Sequence, residues 1–157
     1  MSRDEKDAPS LNEMRAFAYR LLGRREYSVF ELHQRIRQKW PEADDAGELI
    51  EALVNENLVS DQRYTESFIR FRAQRFQGPL KIRNGLRTKG VSDALIDREM
   101  SAWSEQWHEL AAQWLDRQHT GTLDFDQKKK YYRRLTSRGF THGQAMDALN
   151  RTHSSLD

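Results

Sequence analysis

The side chains that could do chemistry in this sequence are mainly cationic, and most lie in two short segments. The net charge is only +2 at pH 7, but residues 61–90 hold eight Lys and Arg against two acids, and residues 127–138 hold six against none. Such segments suit a polyphosphate backbone, through release of condensed counterions, or an acidic protein groove. The residues that we expect to contact such a partner are Arg70, Arg72, Arg75, Lys81, Arg83, Arg87, Lys89, Lys128, Lys129, Lys130, Arg133 and Arg134.

The alternative interpretation of any one basic helix is an ordinary solvated surface. Here the basic pattern recurs along the chain, since Arg35, Arg37 and Lys39 mark an earlier, similar segment. Residues 41–60, in contrast, carry six acids and no base. Recurrence at a regular interval favours a continuous basic stripe over a chance solvated face.

Catalysis has little support in the sequence. There is no cysteine, and the five histidines never pair at a spacing of three or four, so no metal site is predicted. Gly78, Gly85 and Gly90 lack the strand and the terminal Lys-Ser or Lys-Thr of a phosphate loop. We therefore expect no catalytic residue, no metal and no cofactor, and a protein that works by binding.

The tryptophans have two interpretations, a core residue or a stacking platform for unpaired bases. Trp107 and Trp114 share a helical stripe with Leu110 and Ala111, which predicts burial. For Trp40 and Trp103 both interpretations stay open.

An internal repeat of about 50 residues organises the chain. Seven positions match seven others at an offset of 49 without a gap: Ile82, Leu86, Lys89, Gly90, Val91, Ile96 and Met100 with Tyr131, Leu135, Arg138, Gly139, Phe140, Ala145 and Leu149. The first copy shows Leu32, Ile36, Lys39 and Trp40 at an offset of 50, followed by an acidic insertion. Three copies result.

Each copy is predicted to be three helices. Ser28 and Glu31 have the spacing of a capping box, and Pro79 suits a first helical position. Gly90 and Gly139 follow basic last turns, where a left-handed stop residue is expected. Amphipathic stretches precede each pair of helices, at residues 11–22, 61–76 and 105–115.

The predicted fold is therefore all-α, with three tandem three-helix repeats. We assign a disordered leader to residues 1–10, the repeats to 11–60, 61–103 and 104–152, and a tail to 153–157. The polar N-terminus and the lack of a long apolar stretch predict a cytoplasmic protein with no membrane contact. A DNA-reading helix after the turn at Gly90 is disfavoured, because Asp93, Asp97 and Glu99 would meet phosphates with the wrong sign.

Several segments resemble the RecX family of bacterial RecA regulators. In the second repeat the resemblance lies in Gln77-Gly78-Pro79-Leu80-Lys81-Ile82-Arg83, followed by Leu86, Lys89, Gly90 and Val91. In the first it lies in Arg24-Arg25-Glu26-Tyr27-Ser28, Glu31-Leu32, Leu58, Asp61, Arg63 and Tyr64. The order and spacing of these residues carry the resemblance, over about residues 11–152.

The resemblance implies an elongated, curved body that binds the RecA filament on single-stranded DNA. It also implies inhibition of the RecA ATPase, strand exchange and coprotease activities in recombination and the SOS response, and binding of DNA, single-stranded and also double-stranded. We expect a monomer. The alternative is a sequence-independent DNA-binding accessory protein that acts without RecA.

Two positions depart from the family pattern. Gln77 stands where the family usually has tyrosine, although Phe76 precedes it, and Trp40 stands where the other two copies have glycine. The turn at Trp40 must therefore differ, and Pro41 after it agrees with an altered exit.

Overall fold

A computed structural model describes residues 8–154, apart from the side chains of residues 152–154. Residues 1–7 of the predicted leader and 155–157 of the predicted tail lie outside the described residues. The described range contains nine α-helices and no strand, so the all-α prediction is confirmed. The helices are α1 Leu11–Leu22, α2 Val29–Lys39, α3 Ala46–Asn55, α4 Asp61–Gln74, α5 Pro79–Thr88, α6 Asp93–Ser101, α7 Gln106–Gln118, α8 Phe125–Ser137 and α9 His142–Ser154.

The helices fall into the three predicted groups of three, and the matched positions explain why. Leu32, Ile82 and Tyr131 are at most 5% exposed, although they come from three different copies. Ile36, Leu86 and Leu135, one helical turn later, are fully buried. The same two stripe positions thus anchor the middle helices α2, α5 and α8, as their spacing predicts.

Packing divides the chain into two compact units. The first runs to Ser67 and includes Lys89–Ser92; the second comprises Phe68–Thr88 and the chain from Asp93 onward. The first unit has a core formed by α1, α2, α3 and their loops, in which Met14, Leu32 and Leu53 are almost completely buried. In the second unit, α7, α8 and α9 enclose a core that includes Leu115, Leu135 and Phe140.

The two glycine stops adopt the predicted conformation. Gly90 has φ +76° and Gly139 has φ +101°, values that side-chain-bearing residues rarely adopt. Trp40 has φ −133° and ψ 82° at the end of α2, so the first copy uses a different turn, as its tryptophan indicates.

Gly139 also belongs to a close joint between the second and third repeats. The Gly78 amide donates to the carbonyl of Arg138 at 2.7 Å, and the Leu80 amide donates to the carbonyl of Gly139 at 2.9 Å. A Cβ at Gly78 would lie 2.2 Å from the Phe140 nitrogen, and one at Gly139 would lie 2.5 Å from the Lys81 Cβ. The start of α5 therefore packs backbone to backbone against the turn between α8 and α9.

A similar joint links α2 with the turn after α5. The Ser28 hydroxyl donates to the carbonyl of Lys89 at 2.7 Å, and a Cβ at Gly90 would lie 2.5 Å from the Phe30 Cβ. In both joints the first turn of a middle helix meets the glycine turn of the next repeat.

The capping box predicted at Ser28 is only half correct. The Ser28 hydroxyl accepts from the Glu31 amide at 3.0 Å, but the Glu31 carboxylate forms ion pairs with Arg25 and Lys89 instead of binding the Ser28 amide. Two cations attract a nearly buried carboxylate more strongly than one amide does. Asp61 accepts from the Val29 amide at 2.8 Å and completes the cap.

Reciprocal capping boxes occur in the third repeat instead. Asp124 and Gln127 exchange bonds of 2.8 and 3.0 Å at the start of α8. Thr141 and Gln144 do the same at 3.2 and 2.9 Å before α9. Both helices of the α8–α9 hairpin therefore begin at a fixed residue. Within the described residues, no helix has the length and apolar character that a bilayer crossing requires.

Candidate functional site

The cations of the second-repeat middle helix, α5, are largely paired with acids. Arg83 pairs with Asp97, and Arg87 Nε lies 2.9 Å from Asp93 Oδ1, so two acids of α6 face two bases of α5. Lys89, just after α5, lies 3.3 Å from Glu31. Lys81 has no carboxylate partner among the described residues, which leaves α5 with less available charge than its sequence indicates.

Two of the predicted contact residues on α4 and just after it contact aromatic rings and an amide, rather than acids, among the described residues. Arg72 lies 4.8 Å from the Phe68 ring centre and donates to Gln77 Oε1 at 3.4 Å. Arg75 lies 4.1 Å from the ring centre of Phe71, and that phenylalanine is 49% exposed. Arg70 is exposed.

The third-repeat middle helix, α8, keeps its positive charge. In the described part of the chain, no carboxylate pairs with any of its five cations. Several pack on aromatic rings instead: Lys129 Nζ lies 4.7 Å from the ring centre of Phe125, and Lys130 Nζ lies 5.2 Å from that of Tyr131. The five cations are Lys128, Lys129, Lys130, Arg133 and Arg134.

An open groove of about 600 Å³ runs between α8 and α9. Its wall on α8 combines aromatic and basic side chains, and its wall on α9 includes Met146. The Tyr132 hydroxyl and His142 Nδ1 are hydrogen-bonded across it at 2.8 Å, which fixes both rings. Phe125 stands at one end and is 70% exposed.

A neighbouring hollow of about 480 Å³ lies on the other side of Arg133. It is lined by Trp114, Arg134 and Arg138 as well, and Arg138 lies 5.1 Å from the centre of the Trp114 rings. Arg133 therefore faces both depressions and links them.

The tryptophans contribute mainly to packing. Trp107 and Trp114 are 4% and 5% exposed, which confirms their predicted burial. Trp40 is half-buried and meets Phe17 edge-on at 5.4 Å, and Trp103 stacks on Trp107 at 5.5 Å. The most exposed aromatic ring of the described residues is Phe125, not a tryptophan.

The aromatic position next to Gln77 also has a structural role. Phe76 has φ +59° and packs against the core of the third repeat, with Arg117 4.8 Å from its ring centre. Its ring is therefore committed to the fold of the second unit.

Arg25, Glu31 and Lys89 form a cluster of charges in the first unit. Arg25 donates to both Glu31 carboxylate oxygens, at 2.9 and 3.0 Å. Burial disfavours the charged form of Glu31, but the hydrogen bonds and charges of Arg25 and Lys89 outweigh it and lower the pKa of Glu31. The carboxylate is held in its ionised form and stabilises the first unit.

The groove-lining residues Phe125, Tyr132, His142 and Met146 were not among the predicted contacts. The sequence does contain a signal for Phe125, since the spacing of Asp124 and Gln127 is that of a capping box. That cap starts α8 before the basic run, which places Phe125 on the same helix as Lys128 and Lys129. The described residues contain no group of three or more acidic or histidine side chains that could hold a metal ion.

Comparison with known proteins agrees with this architecture. Residues 60–100 match the family model described as the second three-helix domain of RecX. The regulatory protein RecX of Chromohalobacter salexigens is 38% identical over 133 residues, which cover 84% of this chain and 88% of the relative. That of Vibrio parahaemolyticus is 32% identical over 148 residues, covering 93% and 95%.

Two solved structures share the fold. The crystal structure of RecX from Lactobacillus salivarius superposes with a TM-score of 0.80 at 18% identity and covers 92% of this chain and 97% of that one. A second structure of a regulatory protein RecX has a TM-score of 0.70 at 22% identity and covers 85% and 71%. The repeat pattern, the helical architecture and the extent of the sequence matches lead to one conclusion: this chain belongs to the RecX family.

Proposed function

We propose that this protein binds the RecA filament on single-stranded DNA and restrains its ATPase, strand exchange and coprotease activities in recombination and the SOS response. Membership of a family whose members are named regulatory proteins supports a regulatory role. The observation that carries the proposal is the run of five cations on α8, none of which pairs with a carboxylate of the described residues. Such a surface complements a filament made of acidic nucleic acid and protein.

The contribution of the predicted contacts differs between repeats. The α8 cations can bind an anionic partner without breaking an ion pair to any carboxylate of the described residues. Arg70, Arg72, Arg75 and Lys81 add to the surface, since none of them has a carboxylate partner among the described residues. Binding through Arg83, Arg87 or Lys89 requires that an existing ion pair break or share its cation. We propose that the protein acts as a cytoplasmic monomer and needs no cofactor.

The test adds the purified full chain to RecA on single-stranded DNA and follows ATP hydrolysis and repressor cleavage. We expect the rates of ATP hydrolysis and of repressor cleavage to decrease when the protein is added at one molecule per RecA or fewer. Reversing Lys130→Glu and Arg134→Glu should raise the concentration required by about tenfold or more, since each lost phosphate or carboxylate contact costs on the order of 1 kcal/mol. Reversing Arg20→Glu and Arg24→Glu changes the net charge equally on exposed residues of the first repeat and serves as the control.

An absence of inhibition by the wild-type chain would refute the proposal. Equal losses in the two double variants would show that net charge, and not the α8 surface, determines binding.

A second candidate function is that of a sequence-independent DNA-binding accessory protein that acts without RecA. The exposed Phe125 ring beside the cations of α8 favours direct contact with DNA. The two candidates differ in their requirement for RecA: an accessory protein would bind naked DNA as tightly as the filament, whereas a filament regulator would bind the filament more tightly.

A further inference from the structure

We propose that the groove between α8 and α9 is a binding site for single-stranded DNA, in which a base stacks on Phe125 while Lys128, Lys129 and Arg133 hold the adjoining phosphates. This inference rests on the proposed function in taking DNA as part of the target. It goes further by assigning the DNA contact to one groove of the third repeat and by giving an aromatic residue a direct part in it.

The spacing of the residues on α8 is the first argument. Phe125, Lys128, Lys129, Tyr132 and Arg133 follow one another at intervals of i, i+3, i+4, i+7 and i+8, so they share one helix face. Rings and cations therefore lie next to each other along that face. A single strand presents flat bases and phosphates at each nucleotide, which requires both kinds of side chain close together.

The exposure of Phe125 is the second argument. Its ring is 70% exposed, more than any other large hydrophobic side chain in the described range; Leu80, the next, is 55% exposed. The Asp124–Gln127 capping box holds the helix at this point, so the ring stands on an ordered turn. Leaving such a ring in water forgoes apolar burial, part of which a stacked base would recover.

The charge environment is the third argument. Lys128, Lys129 and Arg133 have no carboxylate partner among the described residues, whereas Arg83 and Arg87 on α5 pair with Asp97 and Asp93. Cations without a carboxylate partner release counterions when a polyanion binds and break no ion pair. The groove cations are thus available to phosphates without the loss of an ion pair, unlike Arg83 and Arg87.

A single strand fits this groove better than duplex DNA or an acidic protein segment. The bases of a duplex are stacked on each other, so Phe125 could not reach a base face. An acidic peptide would engage the cations but has no recurrent flat ring to match Phe125. The hydrogen-bonded Tyr132 and His142 and the apolar Met146 also line the groove and offer a base further aromatic and apolar contact.

The test measures fluorescence anisotropy of the full chain with a labelled oligothymidylate of about 15 nucleotides, without RecA. Two further probes have the same length and charge: an abasic oligodeoxynucleotide and a polyglutamate peptide. We expect Phe125→Ala to weaken oligothymidylate binding by about five- to one-hundredfold and to leave abasic binding unchanged. Phe125→Trp should restore affinity. Lys128→Ala with Lys129→Ala should weaken both nucleic acids.

Phe71→Ala is the matched control, since Phe71 on α4 is also an exposed ring with a cation over it, Arg75 in place of Lys129. Its oligothymidylate affinity should equal that of the wild type. The proposal is overturned if Phe125→Ala binds oligothymidylate normally, if Phe71→Ala loses as much, or if Phe125→Ala loses only polyglutamate, which would indicate a protein partner. Loss of DNA binding in Phe125→Ala would support the groove even if RecA inhibition by the wild type failed.

Discussion

Glu31 shows how tertiary contacts can replace the local contact that a residue's spacing predicts. Its side chain is 11% exposed and is balanced by two cations, Arg25 from the preceding loop and Lys89 from the end of the next repeat's middle helix. A nearly buried carboxylate would be costly without them. The three residues therefore tie separate parts of the first unit together.

We predict that Glu31→Gln lowers the free energy of unfolding by about 1 to 3 kcal/mol. The amide retains the shape of the side chain but loses both ion pairs, and it leaves two half-exposed cations next to each other. Urea denaturation at pH 7 measures the effect. Glu48→Gln changes an exposed residue on α3 that has no ion pair among the described residues, and should alter the free energy of unfolding by less than about 0.5 kcal/mol.

A comparison of the wild type with Glu31→Gln also gives a prediction about pH. The pKa of Glu31 is lowered in the folded state, so its contribution is complete above the unfolded pKa, about 4.3, and is lost as the pH falls through the folded pKa. The stability difference between wild type and Glu31→Gln should be constant from pH 7 to about 5 and shrink below about 4. A difference that stayed constant down to pH 3 would contradict the assignment.

Gly139 illustrates a second kind of residue-level constraint. Gly139→Ala should destabilise the protein by about 1 to 3 kcal/mol or more, because the backbone has φ +101° and the new Cβ would lie 2.5 Å from that of Lys81. Gly143→Ala is the control within the same hairpin, since its Cβ would meet nothing within 4 Å. It should be neutral or stabilising by up to about 1 kcal/mol. Thermal denaturation of the two variants measures the difference. Equal destabilisation by both substitutions would show that the close packing at Gly139 is not the cause.

At the scale of elements, α5 and α8 are equivalent helices with different electrostatic roles. The helix after α5 carries Asp93 and Asp97, which pair with its arginines. The helix after α8 carries Asp147, whose partners are His108 and Arg151 and not the α8 cations. The pairing of each middle helix thus depends on where its neighbour places its acids.

Asp93→Asn together with Asp97→Asn should therefore strengthen binding to single-stranded DNA. Freeing Arg83 and Arg87 makes up to two more cations available, and each phosphate contact adds about 0.7 to the slope of log affinity against log salt. Loss of the helix N-terminal charge costs on the order of 0.5 kcal/mol of stability, so folding should persist. Anisotropy titrations over a salt series measure the slope, and an unchanged slope would show that α5 lies away from the DNA.

The sequence predicted the elements well because their signals are local. Stripe positions such as Ile82 and Tyr131 and stop residues such as Gly90 act through spacing and backbone conformation, which a single chain segment determines. The half of the capping box that involves the Glu31 side chain was predicted wrongly, because the spacing from Ser28 does not show the two ion pairs that compete for it. One is with Arg25 in the folded loop before α2, and the other is with Lys89, 58 positions away. The predicted box was displaced by contacts that exist only after folding.

The candidate site was less predictable than the fold for the same reason. Basic residues can be counted in the sequence, but whether Arg87 is available depends on the packing of α6 against α5. The groove between α8 and α9 likewise requires the two helices to be in place, since Met146 and Phe125 are far apart in sequence. Sequence reasoning found the cations and could not separate the paired ones from the unpaired ones.

At the scale of the whole molecule, the net charge of +2 conceals the distribution that matters for binding. Arg83 and Arg87 of α5 are paired with acids, while no carboxylate among the described residues pairs with the five cations of α8. A polyanion responds to local charge within about 10 Å at moderate salt. Affinity for DNA should therefore depend on the positive charge of the third repeat, although the whole chain is almost neutral.

Single charge removals in the full chain test this directly. Lys129→Gln should reduce the salt slope for oligothymidylate binding by about 0.7, the value for one phosphate contact on a single strand. Arg87→Gln removes the same formal charge from a cation already paired with Asp93, so its slope should change much less. Anisotropy titrations from low to moderate salt give both slopes. Equal reductions would mean that overall charge governs binding, and the distinction between paired and unpaired cations would then have no bearing on how the protein meets DNA.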